Sequence, residues 1–136
     1  MGGRWASVRR MNIPEELRYS ADHEWIKVEG ERVRIGITDY AQDALGDVVF
    51  VQIPELGAKV TTGAGVSEVE STKSVSDIYA PVSGEVVEVN HDLETNPERI
   101  NEDPYGDGWI CVIAPDEVSE IEQLLDADAY RQLVEG

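Results

Sequence analysis

The segment Val69-Glu-Ser-Thr-Lys-Ser-Val-Ser-Asp-Ile-Tyr-Ala-Pro-Val-Ser-Gly84 decides how the rest of the chain is interpreted. Small hydroxyl residues surround Lys73 on both sides, and such residues favour an exposed turn. Val69 before that turn, and Val75 and Ile78 after it, favour β-strands. The segment therefore predicts a β-hairpin with Lys73 at or beside its tip.

An exposed lysine has two interpretations. It can be a solvated surface charge without a chemical task, as most surface lysines are. However, the chain has only three lysines, Lys27, Lys59 and Lys73, among 28 acidic residues, so a lysine at a turn tip stands out. Nothing in the segment buries this amine or crowds it with positive charge, so it lacks the features that activate a catalytic lysine. Lys73 is better suited to be an attachment point for an acyl group that another enzyme activates.

The composition is that of an acidic globular protein. At 136 residues with 41% hydrophobic content, the chain fits one domain with a single core. Its formal net charge of -17 repels phosphate backbones and anionic lipids, so we expect neither nucleic acid nor membrane as a partner. Cys111 lies in an apolar run and is predicted to be a buried core residue. It is distant in sequence from His23 and His91, so no metal site is predicted.

The N-terminal residues differ from the rest of the chain. Residues 1–10 contain three arginines and no acid. We expect residues 1–12 to form a flexible N-terminal extension and residues 13–136 to form a single domain.

Short strands separated by turn residues are predicted along most of the chain. Val33, Ile35 and Ile37 alternate with less apolar residues, which indicates a strand with one buried face. The apolar run from Asp47 to Ile53 predicts a strand buried on both faces. Many such strands, with glycine and proline between them, favour a mainly β sandwich or barrel.

Helices are predicted as additions to these strands. Thr38 or Asp39 can cap a short helix that continues through Ala44. A longer amphipathic helix is expected beyond Pro115, where apolar residues recur at helical spacing: Val118, Ile121, Leu124 and Leu125. A second, shorter helical segment is expected around Tyr130.

Motifs spread over most of the chain resemble one known family. The segment from Glu70 to Val86 resembles the lipoylation segment of the glycine cleavage system H protein. Further similar motifs follow the same order: His23-Glu-Trp25, Gly36-Ile-Thr-Asp-Tyr-Ala-Gln42, Leu45-Gly-Asp-Val-Val-Phe-Val51 and Asn101-Glu-Asp-Pro-Tyr-Gly-Asp-Gly-Trp109. The resemblance implies a barrel-sandwich hybrid like that of lipoyl domains, with short helices and a C-terminal helix. Residues 13–136 would then form one lipoyl-carrier domain.

The resemblance also implies a carrier, which is not itself an enzyme. Lipoate would be joined to Lys73 by an amide, and lipoylating enzymes would attach it. The carrier would take an aminomethyl group from glycine decarboxylase (P protein) to aminomethyltransferase (T protein). Dihydrolipoyl dehydrogenase (L protein) would then reoxidise the dithiol. We expect a monomer in the bacterial cytoplasm, with the mitochondrial matrix as the eukaryotic alternative.

A groove that shelters the loaded arm is a further implication of the family resemblance. The cargo carries a cationic amine, and carboxylates are its natural partners. Glu24 is the first candidate, Asp77 the second and Asp22 the third, with Ile37 lining the groove. The alternative is that these carboxylates are ordinary surface residues or turn anchors.

Other functions compete with this one. A lipoyl relay that donates to 2-oxoacid dehydrogenase complexes is the main alternative. A lipoyl domain of an acyltransferase would be expected to show Asp-Lys-Ala, and a biotin carrier Met-Lys-Met, whereas Thr72 and Ser74 flank Lys73 here. An enzyme is the least favoured alternative, because His23 has no paired nucleophile and is interpreted as a structural or interface residue.

Overall fold

The computed structural model describes residues 11–135, which form a six-stranded and a three-stranded antiparallel sheet with short helices. The strands are β1 Arg18–Tyr19, β2 Glu24–Glu29, β3 Arg32–Ile37, β4 Val48–Gln52, β5 Lys59–Val60, β6 Gly65–Ser71, β7 Val75–Tyr79, β8 Gly84–Val89 and β9 Cys111–Pro115. The helices are α1 Asp39–Leu45, α2 Asp92–Thr95, α3 Arg99–Glu102, α4 Ser119–Glu122 and α5 Ala127–Glu135.

The strand order explains how two sheets enclose one core. The larger sheet has the order β1-β2-β3-β9-β8-β5, and the smaller one has the order β4-β6-β7. Alternation along β6 buries Val69, and neighbouring strands bury Val51 and Ile78, so the small sheet has one apolar face. That face joins Ile26 and Ile35 of the large sheet in the same core. The predicted mainly β architecture with short helices and a C-terminal helix is confirmed.

A second cluster of buried residues lies between the large sheet and α5. It comprises Ile13, Leu17, Tyr19, Trp25, Ala127 and Tyr130. The rings of Tyr19 and Tyr130 stack with their centroids 4.6 Å apart, and the indole N–H of Trp25 donates to the carbonyl of Pro104 at 2.8 Å. The C-terminal helix is thus attached to β1 and β2 through aromatic packing.

Helix α1 is confirmed close to its predicted bounds. Thr38 is its N-cap, and the Thr38 hydroxyl accepts a hydrogen bond from the backbone N–H of Ala41 at 3.2 Å. Gly46 ends the helix with φ of 83°, a conformation that glycine adopts without steric cost.

The prediction that β4 is buried on both faces is wrong. Val48 and Val51 are buried, but Val49 and Phe50 are 54% and 50% exposed. The register between β4 and β6 shifts between Val48 and Phe50, as in a β-bulge, so two consecutive apolar residues become solvent-exposed. Because β4 is an edge strand of the small sheet, no further strand in residues 11–135 covers that edge.

The C-terminal helices also differ from the prediction. The helix beyond Pro115 spans only Ser119–Glu122, and Val118 is 68% exposed. Leu125 leaves helical geometry because its backbone N–H and C=O pair with Tyr19 at 2.8 Å each. The longer helix is α5, whose first turn is capped by the Asp126 carboxylate accepting from the N–H of Ala129 at 2.8 Å.

Most of the extension predicted for residues 1–12 lies outside the described residues. Its last residues, however, contact the folded domain. The backbone N–H of Asn12 donates to Asp39 Oδ2 at 2.9 Å, and its carbonyl accepts from the Tyr105 hydroxyl at 2.6 Å. Among residues 11–135, the helices are too short or too polar for any to cross a membrane.

Candidate carrier site

The turn that presents Lys73 is held by hydrogen bonds from one serine. The Ser71 hydroxyl accepts from the backbone N–H groups of Lys73 and Ser74 at 3.3 and 3.0 Å. The Ser71 N–H in turn donates to the carbonyl of Ser74 at 2.8 Å. A further bond, from Thr72 N–H to the carbonyl of Asp47 at 3.0 Å, ties the turn to the start of β4. These contacts fix the backbone while leaving the lysine side chain outside, and the predicted hairpin is confirmed.

Lys73 is exposed and has room for its side chain. In the described part of the chain no ion pair holds its amine. Its aliphatic stem runs beside Gly46, where a Cβ would lie 3.3 Å from Lys73 Cε. The absent side chain at Gly46 therefore leaves a path along which the stem can lie.

A groove of about 300 Å³ begins beside the Lys73 turn. Strand β7 and the turn form one wall through residues 74–78, and α1 forms another through Ala41, Ala44 and Leu45. The floor and far wall are supplied by Ile37, His23 and Tyr40. The lining is mostly apolar with acidic groups at the margin, so the groove suits an aliphatic chain that ends in a cation.

His23 forms one wall of this groove in an unusual backbone conformation. It is the only non-glycine residue among residues 11–135 with a positive φ, 70°. Its ring packs against Tyr40 with centroids 4.8 Å apart, and its Nδ1 lies 2.9 Å from the Tyr130 hydroxyl. Burial lowers the pKa of His23, which favours the neutral imidazole. Backbone strain of this kind persists where surrounding contacts enforce it, and here those contacts come from α1 and α5.

The structure brings three of the four predicted groove residues together. Asp22, Ile37 and Asp77 all line the groove beside Lys73. Asp22 and Asp77 are exposed, whereas Ile37 is 2% exposed and forms part of the core beneath the groove.

Glu24, the first candidate from the sequence, does not line this groove. It is 1% exposed, and its two carboxylate oxygens accept from the Ser20 hydroxyl at 2.7 Å and from the Tyr79 N–H at 3.0 Å. Burial raises the pKa of Glu24 to about 7, although these two hydrogen bonds oppose the shift. Glu24 borders a second cavity of about 260 Å³, and Asp22 lines both cavities.

The contacts of His23 with α5 were not anticipated from the sequence. The sequence places Tyr130 only in a short helical segment, and it indicates no role for Tyr40 beyond its motif. The Tyr130 hydroxyl lies 2.7 Å from Thr38 Oγ1 as well as 2.9 Å from His23, so it joins α5, the groove and the cap of α1. A sequence separation of 107 residues between His23 and Tyr130 leaves no local signal that could have predicted this contact.

Across residues 11–135, no set of three or more His, Cys, Asp or Glu side chains is placed to hold a metal ion. The fold and the site together define a class of proteins: small β domains that present an exposed lysine at the tip of a hairpin, beside a groove.

Comparisons with known proteins identify the family within that class. Residues 17–136 match the family model described as glycine cleavage H-protein. The chain is 56% identical to the glycine cleavage system H protein of Geobacillus sp. (strain WCH70), covering 91% of this chain and 98% of the relative. It is 54% identical to that of Thermus thermophilus, with 93% and 98% covered. The crystal structure of the H protein from Mycobacterium marinum superposes with a TM-score of 0.81 at 47% identity, covering 88% of this chain and 97% of that one. The chain belongs to the glycine cleavage H-protein family, whose members carry lipoate in the glycine cleavage system.

Proposed function

We propose that this chain carries lipoate on Lys73 and serves the glycine cleavage system as a shared substrate of its enzymes. The observation that carries this proposal is the exposed, unpaired Lys73 amine at a hairpin tip beside an acidic and apolar groove. A lipoyl group joined there by an amide supplies a dithiolane that accepts an aminomethyl group and is afterwards reoxidised.

The residues around Lys73 fit such a group. Ser71 holds the turn rigid, while the lysine stem has free space beside Gly46. Ile37 and the α1 residues offer an apolar surface along which an aliphatic arm can lie out of water. Asp77 and Asp22 place carboxylates in the groove lining, where they can form ion pairs with a cationic cargo.

Glu24 keeps a place in this proposal in the second cavity, which Asp22 connects with the groove. Asp22 lines both the groove and the cavity bordered by Glu24, so an arm that passes Asp22 comes near Glu24. A nearby cation favours the ionised form of a buried carboxyl group. Without such a cation, the Glu24 carboxyl orders the end of β7 by accepting a hydrogen bond from the backbone N–H of Tyr79.

The proposed partners follow from the proposed cycle. They are glycine decarboxylase, aminomethyltransferase, dihydrolipoyl dehydrogenase and a lipoylating enzyme. We place the chain in the bacterial cytoplasm as a monomer without catalytic residues of its own. A net charge of -17 favours partners whose clefts have basic rims.

One assay separates glycine cleavage from a lipoyl relay. The lipoylated chain is incubated with glycine decarboxylase and glycine, and reduction of the arm is followed. We expect glycine-dependent reduction that is lost in Lys73→Arg and retained in Lys59→Arg, an exposed lysine on β5. Absence of glycine-dependent reduction, together with transfer of lipoyl groups to 2-oxoacid dehydrogenase domains, would instead support the relay.

A further inference from the structure

One side-chain amide from α3 holds the segment that joins α1 to β4. Asn101 Nδ2 donates to the carbonyl of Gly46 at 2.9 Å and to Gln42 Oε1 at 3.0 Å. Asn101 Oδ1 accepts from the backbone N–H of Val48 at 2.8 Å. The orientation of the amide follows from these partners, because a backbone carbonyl only accepts and a backbone N–H only donates. Three hydrogen bonds from one side chain therefore fix the chain on both sides of Asp47.

The same segment contacts the Lys73 turn at two points. The carbonyl of Asp47 accepts from the backbone N–H of Thr72 at 3.0 Å. At Gly46, a Cβ would lie 3.3 Å from Lys73 Cε and 3.9 Å from Lys73 Nζ, so the lysine stem passes over the Gly46 backbone. The position of this backbone therefore decides where the stem can lie.

Gly46 needs support from outside because of its backbone conformation. Its φ of 83° and ψ of -159° lie in a region that only glycine populates readily. Glycine also has the most backbone freedom to lose when one conformation is fixed. The N–H of Gly46 donates to the carbonyl of Gln42 at 3.0 Å, and its own carbonyl accepts from Asn101. Removing the Asn101 amide therefore frees the carbonyl side of this residue.

The contact between the lysine stem and Gly46 lies at the mouth of the groove. Leu45 and Ser74, the chain neighbours of Gly46 and Lys73, both line the groove. A stem that lies over Gly46 therefore starts at the groove, between α1 and the strand that follows the turn.

We propose that Asn101 is a positioning residue for the lipoyl arm. By fixing Gly46 and Asp47, it sets the direction in which the Lys73 stem leaves the turn, and it thereby keeps the attached arm in the groove. Asn101 acts through the α1–β4 segment, because its three hydrogen bonds all end there or on α1. The inference rests on the proposed function, since the arm is the group proposed for Lys73.

The alternative is that Asn101 only stabilises the fold. Helix α3 has an anchor of its own in Ile100, which is fully buried in the main core. Loss of the Asn101 amide is therefore expected to leave α3 in place, so that the effect on the lysine can be measured in a folded protein.

Asn90 provides a matched control for the loss of hydrogen bonds. Its Nδ2 donates to the carbonyls of Asp107 and Trp109 at 2.9 and 2.7 Å. Its Oδ1 accepts from the N–H of Asp92 at 3.3 Å. Asn90 thus makes three hydrogen bonds through the same two atoms as Asn101, but neither it nor its partners line the groove.

The first measurement uses the unmodified chain. Asn101→Asp keeps the acceptor for Val48 but loses both donors, so the Gly46 carbonyl is released. We expect hydrogen exchange of the Thr72 N–H, followed by NMR, to become roughly fivefold faster than in wild type. Asn90→Asp should leave that exchange rate unchanged. Thr72 exchange at the wild-type rate in Asn101→Asp would overturn the inference.

The second measurement uses the lipoylated chain. Its arm is reduced to the dithiol, and iodoacetamide is added; each sulfur displaces iodide and loses its proton, and intact mass follows the product. We expect alkylation to be roughly fivefold faster in Asn101→Asp and Asn101→Ala than in wild type, because their arms spend more time outside the groove. Asn90→Asp should react as wild type does. Urea unfolding of each variant ensures that all are compared in the folded state.

The outcomes separate this inference from the proposed function. A wild-type chain that never carries lipoate contradicts the proposed function. A lipoylated wild type that reacts at the same rate as the Asn101 variants leaves the carrier function standing and overturns the inference. Equal acceleration in Asn90→Asp would also overturn it, because the effect would then be one of general stability. Asn101→Asp retains its bond to Val48, so it decides the matter even if Asn101→Ala folds poorly.

Discussion

The hydroxyl of Tyr130, in the C-terminal helix, lies 2.9 Å from Nδ1 of His23 in the wall of the groove. The same oxygen lies 2.7 Å from Thr38 Oγ1, the N-cap of α1. Two walls of the groove, His23 and α1, are therefore held by one side chain from the last element of the chain. The shape of the groove depends on the docking of α5.

The first prediction concerns this hydroxyl. Tyr130→Phe keeps the ring stacked on Tyr19 but removes a buried hydroxyl that joins His23 and Thr38. We expect the free energy of unfolding to fall by about 1–3 kcal/mol. Urea denaturation measures it, with Gln132→Ala on the exposed side of α5 as the control. Equal stability of Tyr130→Phe and wild type would show that the hydroxyl does not hold the groove.

The second prediction uses the raised pKa of Glu24. The carboxyl ionises near 4.5 in the unfolded chain but near 7 in the folded protein. The folded state therefore binds the proton more tightly, and ionisation of Glu24 lowers the free energy of unfolding as pH rises from about 4.5 through 7. Glu24→Gln mimics the protonated form, so it should remove this loss, which amounts to up to about 3 kcal/mol.

The measurement for Glu24 is a difference between two variants. Unfolding of wild type and Glu24→Gln is compared at pH 5 and pH 8. His23 contributes with the opposite sign, because burial lowers its pKa, but that contribution cancels when the two proteins are subtracted. A stability difference that does not change with pH would mean that Glu24 ionises normally despite its burial.

The third prediction concerns close packing around Trp25. A Cβ on Gly36 would lie 2.7 Å from Trp25 Cε2, and Trp25 is fully buried. Gly36→Ala should lower the free energy of unfolding by roughly 1–3 kcal/mol or more, because the indole cannot move without losing its bond to Pro104. Thermal unfolding measures this. Gly65→Ala, where a Cβ would have no neighbour within 4 Å, is the control, and equal melting of both variants would contradict the prediction.

The fourth prediction tests the groove carboxylates. Asp77→Asn and Asp22→Asn each remove a negative charge from the groove lining. We expect each substitution to speed loss of the aminomethyl cargo about fivefold. That ratio corresponds to the free energy that one partly exposed charge pair contributes. Mass spectrometry of the loaded chain over time measures the loss, with Glu68→Gln as a control that lies outside the groove lining. Unchanged loss rates would show that the carboxylates do not hold the cargo.

Local patterns predicted the Lys73 turn well. The small hydroxyl residues around Lys73 and the β-favouring residues beside them act over a few positions, and the hairpin formed as expected. Thr38 capped α1 for the same reason, since a cap depends on residues three positions away. Asp77 and Ile37 line the groove, as expected, because they belong to strands that were predicted correctly.

Long-range contacts explain where prediction failed. The run around Phe50 looked buried because nothing local shows that β4 bulges against β6. Leu125 left its predicted helix to pair with Tyr19, more than a hundred residues away. Glu24 resembles an exposed carboxylate in sequence, and only the approach of Tyr79 and Ser20 makes it a buried one.

The proposed carrier function depends on the amine of Lys73. The chain is produced in a host that synthesises and attaches lipoate, and its intact mass is measured beside that of Lys73→Arg and Lys59→Arg. We expect a single lipoyl increment on wild type and Lys59→Arg and none on Lys73→Arg. A wild-type chain without that increment, or an increment that survives Lys73→Arg, would contradict the assignment of Lys73 as the lipoyl attachment site.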